Sequence, residues 1–141
     1  MKQFFLIALC ITAIAITGNS QKLDVPAPVT KAFNSKFPNA TGVKWEKENK
    51  TEFEANFKMN KTDVSANFKS DGTWVETETT IPVAELPAAV SNAIKAKHPG
   101  AVLGKAEKLE KPGAKTLYEV IITTNGKKKE VELNEDGSFV N

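Results

Sequence analysis

The strongest constraint on this chain is that most of it occurs twice. Val25-Pro26 matches Leu86-Pro87 at an offset of 61 residues. At that offset Val29 meets Val90, Ala32 meets Ala93, Phe33 meets Ile94 and Lys36 meets Lys97. Pro38 meets Pro99, and Ala40 meets Ala101. Further along the offset becomes 65, so that Phe53 meets Tyr118, Phe68 meets Leu133, Asp71-Gly72 meets Asp136-Gly137 and Trp74 meets Phe139. The change of four fits an insertion near Lys111-Pro112-Gly113-Ala114, which has the composition of a loop. Apolar, proline and turn positions that agree across one gap point to a tandem duplication of one supersecondary unit.

Each unit opens as a short helix. Asp24 is a candidate N-cap, and Pro26 and Pro28 fit a first turn, where the missing N–H costs nothing. Val25, Val29, Ala32, Phe33 and Phe37 recur at helical spacing until Pro38 stops the helix. Leu86, Val90, Ala93 and Ile94 form the same stripe before Pro99-Gly100, with His98 in the place of Phe37. Strands follow. Phe53, Ala55, Phe57 and Met59 alternate with Glu52, Glu54, Asn56 and Lys58, which means one buried face and one wet face. Asn60-Lys61 and Asp71-Gly72 turn the chain, and Asn125-Gly126 and Asp136-Gly137 do so in the second unit. The spacing predicts strands over 43–48, 52–59, 63–69 and 73–80, then 102–110, 116–124, 127–134 and 138–141. A unit of about 55 residues with one helix is marginal alone. The expected architecture is therefore α+β, with two helix-plus-four-strand units sharing one antiparallel sheet of up to eight strands and both helices on one face. The other face is expected to be open to water. The units are expected at 21–82 and 83–141.

Residues 1–20 read as a separate segment. Lys2 precedes an apolar run from Phe4 to Ile16 and then Thr17-Gly18-Asn19-Ser20, the order of a secretory signal peptide with cleavage after Ser20. The run is well short of the roughly 20 residues that span a bilayer. Cys10, the sole cysteine, sits inside the run behind Leu9, which does not suit a lipoprotein signal. Cleavage would leave no thiol, no disulfide and no thiolate metal ligand. It would also leave 18 lysines against 17 acidic residues, with no arginine anywhere. Near-neutral charge without arginine argues against nucleic acid as a partner. Lys127-Lys128-Lys129 reads as a hairpin start that blunts a sheet edge.

The segments VPAPVTKAFNSKFPNATGVKWEKE and DGTWVETE, echoed by LPAAVSNAIKAKHPGAVLGKAEKLE and EDGSFV, resemble the PepSY-like family of small exported bacterial proteins. That family is similar to the β-lactamase-inhibitor-protein fold. The resemblance spans residues 24–141 and rests on structural motifs. It implies an α+β tandem fold, a periplasmic or secreted location and a binding or inhibitory role, with no chemistry named.

The residues themselves support no catalytic set. His98 lacks a partner pattern and stands where the first unit has a core phenylalanine, so a packing role is expected. The pairing of Trp74 with Phe139 implies packing as well. Trp45 has Ala106 as its counterpart and is the aromatic that the units do not share. Glu46, Glu48, Glu52, Glu54, Glu76 and Glu78 lie among lysines and read as a solvated face with cross-strand ion pairs. The expected function is a non-enzymatic exported binding module with a protein partner, no cofactor, no metal, and no membrane span once residues 1–20 are removed. It would act as an inhibitor or regulator of an envelope or secreted enzyme. A periplasmic small-ligand or ion-binding protein is the second reading. The candidate surface is Trp45 with Glu52, Glu54, Asn56 and Lys58 of the acidic strand.

Overall fold

The structure is a computed structural model and describes residues 23–140. The expected signal segment, with Cys10, lies outside the described residues. The first helix, α1 (Ala27–Lys36), is followed by β1 (Thr41–Lys47), β2 (Glu52–Met59), β3 (Thr62–Lys69) and β4 (Trp74–Ile81). A single 3-10 turn over Val83–Glu85 leads to α2 (Ala88–Lys97), β5 (Val102–Glu110), β6 (Leu117–Thr124) and β7 (Lys127–Asn134). The helices correspond residue for residue at offset 61, and β2–β3 correspond to β6–β7 at offset 65.

Proline sets where each helix begins. Pro26 and Pro87 are the N-caps, both in extended geometry and without a side-chain cap. The Pro26 carbonyl accepts from the amides of Val29 and Thr30 at 3.0 and 3.2 Å. Asp24, expected as the cap, stands two residues too early, because the fixed φ of Pro26 already makes the turn. At the other end the amides of Phe37 and His98 donate to the carbonyls of Phe33 and Ile94, both at 2.8 Å. His98 thus closes its helix as Phe37 does.

The seven strands form one antiparallel meander in the order β1 to β7. The units are joined through β4 and β5, where Thr77 lies opposite Glu110 and Ile81 opposite Ala106. The eighth strand expected at 138–141 is reduced to a single bridge between Leu133 and Phe139. The turn consumes the intervening residues: the Asn134 amide donates to the Ser138 carbonyl and the Ser138 amide to Asp136 Oδ1. Edge strand β7 begins with the exposed Lys127-Lys128-Lys129.

Both hydrophobic cores lie on the helix side of the sheet. The first gathers Val29 and Phe33 against Phe53, Ala55, Phe57, Val64, Ala66 and Phe68. The second gathers Val90 and Ile94 against Tyr118, Val120, Ile122, Val131 and Leu133. Phe33 is the aromatic hub of the first, with its ring centroid 5.1 Å from Phe57 and 5.2 Å from Trp45. Leu109 is buried but belongs to neither core, because its register position opposite Glu78 puts it on the helix-free face.

Each Asp-Gly turn is pressed against its helix. Gly72 and Gly137 have φ of +89° and +85°, and a Cβ there would stand 2.6 Å from the Pro28 carbonyl oxygen and 2.5 Å from that of Ala89. Pro28 and Ala89 are equivalent at offset 61. The ammonium of Lys36 lies 3.6 Å over the Trp74 ring, and that of its equivalent Lys97 lies 3.8 Å over Phe139. These contacts clamp both ends of each helix to the sheet.

Gly72→Ala and Gly137→Ala are each expected to cost about 2 kcal/mol or more, since positive φ and a backbone clash combine. Gly126→Ala shares the positive φ but meets open space, and should cost roughly half as much. Thermal melts of the three variants check this, and equal losses would contradict it.

Candidate functional site

The helix-free face is built by alternation. Each strand that sends Phe53, Ala55 and Phe57 to the helices sends its intervening residues the other way. Cross-strand register makes the layout explicit. Glu46, Glu54, Asn67 and Glu76 form one row across β1 to β4. Thr80, Glu107, Glu119 and Glu132 form another across β4 to β7. Between them Ser65, Glu78, Leu109 and Leu117 run across β3 to β6. Lysines sit toward the margins: Lys44 on edge strand β1, Lys58 and Lys69 near the ends of β2 and β3, and Lys105 near the start of β5. Although the chain is nearly neutral overall, the centre of this face is acidic.

A concavity of about 410 Å³ opens on this face, bounded among others by Lys44, Glu54, Asn56, Ser65, Glu78 and Glu107. Its electrostatics are uncomfortable. Like charges directly opposite one another destabilise a sheet, and Glu107, Glu119 and Glu132 are consecutive in one row. Glu107 is held by the Lys105 ammonium at 2.7 Å and by the Thr80 hydroxyl at 3.4 Å. Among the described residues Glu78 accepts only from the Ser65 hydroxyl, at 3.4 Å. Burial first, and then the nearby Glu107, Glu76 and Glu54, push its pKa up to about 7. Glu119 is also raised, chiefly by burial and by the adjacent Glu130. Lys111 bridges the units, with its ammonium 3.4 Å from Glu76 and 3.5 Å from Glu132.

The residues singled out in the sequence divide between the two faces. Glu54, Asn56 and Lys58 line the concavity. Glu52 shares their face but lies outside it, opposite Lys69, and its Oε2 accepts from Asn49 Nδ2 at 2.9 Å. Trp45 does not join them. It lies opposite Ala55 on the helix side and packs against Phe33 and Phe68. His98 and Trp74 also pack on the helix side, the His98 ring 6.1 Å from that of Phe139, while Trp74 Nε1 donates to Thr77 Oγ1 at 3.0 Å. The expected cross-strand ion pairs are fewer than the lysine content suggests. Among the described residues, no lysine lies within ion-pair distance of Glu46, Glu48, Glu52, Glu54 or Glu78. Glu78, Glu107 and Glu119 form the centre of the face without having been singled out together. Their adjacency depends on the register between units, which no single strand reveals.

A folded chain that holds the Glu78 proton up to about pH 7 competes with an unfolded chain that releases it near 4.5. Between those values the native state binds more protons, so stability falls as pH rises. The protein should melt at a higher temperature at pH 5 than at pH 8. Glu78→Gln should narrow that gap, mainly by raising the melting temperature at pH 8. An unchanged gap in the variant would contradict the assignment.

Comparison with known proteins agrees with the geometry. The model of the PepSY-like family, described as β-lactamase-inhibitor-like, matches residues 19–65 and, separately, 51–141. Among solved structures, a BLIP-like protein from Bacteroides fragilis is 25% identical with a TM-score of 0.73, covering 86% of each chain. A DUF2874 family protein from Bacteroides uniformis is 25% identical with a TM-score of 0.75, covering 82% of this chain and 86% of its own. A Bacteroides eggerthii protein, described as a candidate periplasmic protein, is 24% identical with a TM-score of 0.76, covering 84% of this chain and 88% of its own. No curated protein matches. Among the described residues, no helix is long and apolar enough to cross a membrane.

Proposed function

Because the chain belongs to the PepSY-like family, we propose that it is an exported, non-enzymatic binding module that inhibits or regulates an envelope or secreted enzyme through its helix-free sheet face. The observation that carries this reading is the face itself: a sheet of seven strands with one side covered by helices and the other, among the described residues, uncovered, concave and acidic at its centre. Bare polar sheet faces need no partner for solubility. This one, however, holds carboxylates that burial and mutual repulsion disfavour in their charged form, and a complementary surface would relieve them. The name of the BLIP-like relative supports an inhibitor-like role. The position of His98 against Phe139, on the side away from the carboxylates, leaves them without an imidazole to exchange protons with.

The signal-like segment supports export, and the candidate periplasmic relative is in keeping with it. The repeats are taken as residues 21–82 and 83–141, with the signal at 1–20. Intact mass of the protein recovered from an envelope fraction should correspond to a chain beginning at Gln21, and a full-length mass would contradict cleavage. Cross-linked capture from envelope extract should recover a protein partner. The lysine-lined concavity margin makes Lys44 and Lys58 suitable cross-linking positions. Repeated failure to recover any protein would contradict the binding role.

A further inference from the structure

Within the acidic face, one row differs from the rest. Glu46, Glu54, Asn67 and Glu76 lie directly opposite one another on four successive strands. Asn67 is 7% exposed, the most polar-demanding position of the row. Its Nδ2 donates to Glu76 Oε1 at 3.2 Å, which fixes the orientation of the amide. Its Oδ1 is buried and has no donor among the described residues. A buried acceptor without a donor is costly, and every neighbour in the row is a carboxylate, which is also an acceptor once ionised.

The same face already shows what such a place accepts. On the β5 side of Glu76, the Lys111 ammonium sits between Glu76 and Glu132. On the β2 side of Asn67 no such ammonium is present: among the described residues no lysine lies within ion-pair distance of Glu46 or Glu54. The nearby Glu48 is raised by burial and by Glu54, Glu52, Glu76 and Glu46, so these carboxylates do act on one another.

We infer that the row Glu46–Glu54–Asn67–Glu76 is a socket for one lysine or arginine side chain of the partner protein, with Asn67 Oδ1 as an acceptor at its floor. A cationic head with several N–H donors satisfies both the orphaned carbonyl and the flanking carboxylates. The inference rests on the binding-module reading above, and the socket specifies the chemistry that the partner must present.

The test uses the full mature chain and a tetralysine peptide at low ionic strength, followed by side-chain amide and backbone NMR. The Asn67 side-chain amide and the amides of Glu54 and Glu76 should shift saturably, and the tetra-acetyl-lysine peptide should leave them unmoved. Glu54→Gln should weaken the interaction about fivefold, the size expected of one partly exposed ion pair. Glu130→Gln, elsewhere on the same face, should leave it unchanged. Equal effects of the two substitutions, or shifts spread evenly over all acidic positions, would overturn the socket. So would the same saturable shifts from calcium chloride alone, since they would make the row a cation site. Envelope capture with wild type and with Glu54→Gln separates this inference from the reading it rests on. With bait kept below saturation, a partner captured equally by both sinks the socket and leaves the module standing, whereas capture reduced several-fold in the variant supports the socket. No partner with either chain sinks the module.

Discussion

A ten-residue helix can bury only a narrow stripe, and here that stripe is two fully packed side chains per helix, Val29 and Phe33 or Val90 and Ile94. Everything else in the structure accommodates this limit. Such a helix would be marginal by itself, so it is held at its start by a proline and by an Asp-Gly turn whose glycine lets the backbone approach a carbonyl of the first helical turn, and at its end by a lysine laid over an aromatic ring. The lysine-over-aromatic contacts repeat the clamp at offset-equivalent positions. Two clamped helices cover one face of the sheet, and among the described residues no element covers the other.

The uncovered face follows from that economy. A strand paired on both sides has its backbone satisfied, so its outward side chains are free to be polar. In this chain they are predominantly glutamate in the middle and lysine toward the margins, while the total charge stays near neutral. Burying glutamates, and crowding them with other glutamates, costs stability, and the raised proton affinities of Glu78 and Glu119 are the local expression of that cost. Lys105 and Lys111 offset part of it. Among the described residues Glu46 and Glu54, both in the row assigned to the partner contact, have no lysine within ion-pair distance.

Most of the fold was legible because its determinants are local and occur twice. Proline at the helix start, alternation along the strands and Asp-Gly or Asn-Gly at the turns each act within a few residues, and agreement between copies removed ambiguity. Asp24 misled because a capping side chain and a helix-starting proline compete for the same role. The last strand was overestimated because alternation does not reveal how much chain a turn consumes. The candidate site was only partly legible. Glu54, Asn56 and Lys58 could be placed on one face by alternation alone. Trp45 was drawn into the same surface by its lack of an aromatic counterpart, yet its pairing with Ala55 sends it toward Phe33. That pairing, and the neighbourhood of Glu78, Glu107 and Glu119, depend on registers between strands that no local signal specifies.

The account stands on the claim that the helix-free face holds carboxylates in a state they would not choose in water. The direct measurement is the pH titration of glutamate side-chain carboxyl carbons by NMR in the folded protein. The Glu78 midpoint should fall near 7, with Glu119 also well above the ordinary carboxylate range. Midpoints for Glu78 and Glu119 near 4.5 would contradict the claim, and with it the physical reason for assigning this face to a partner.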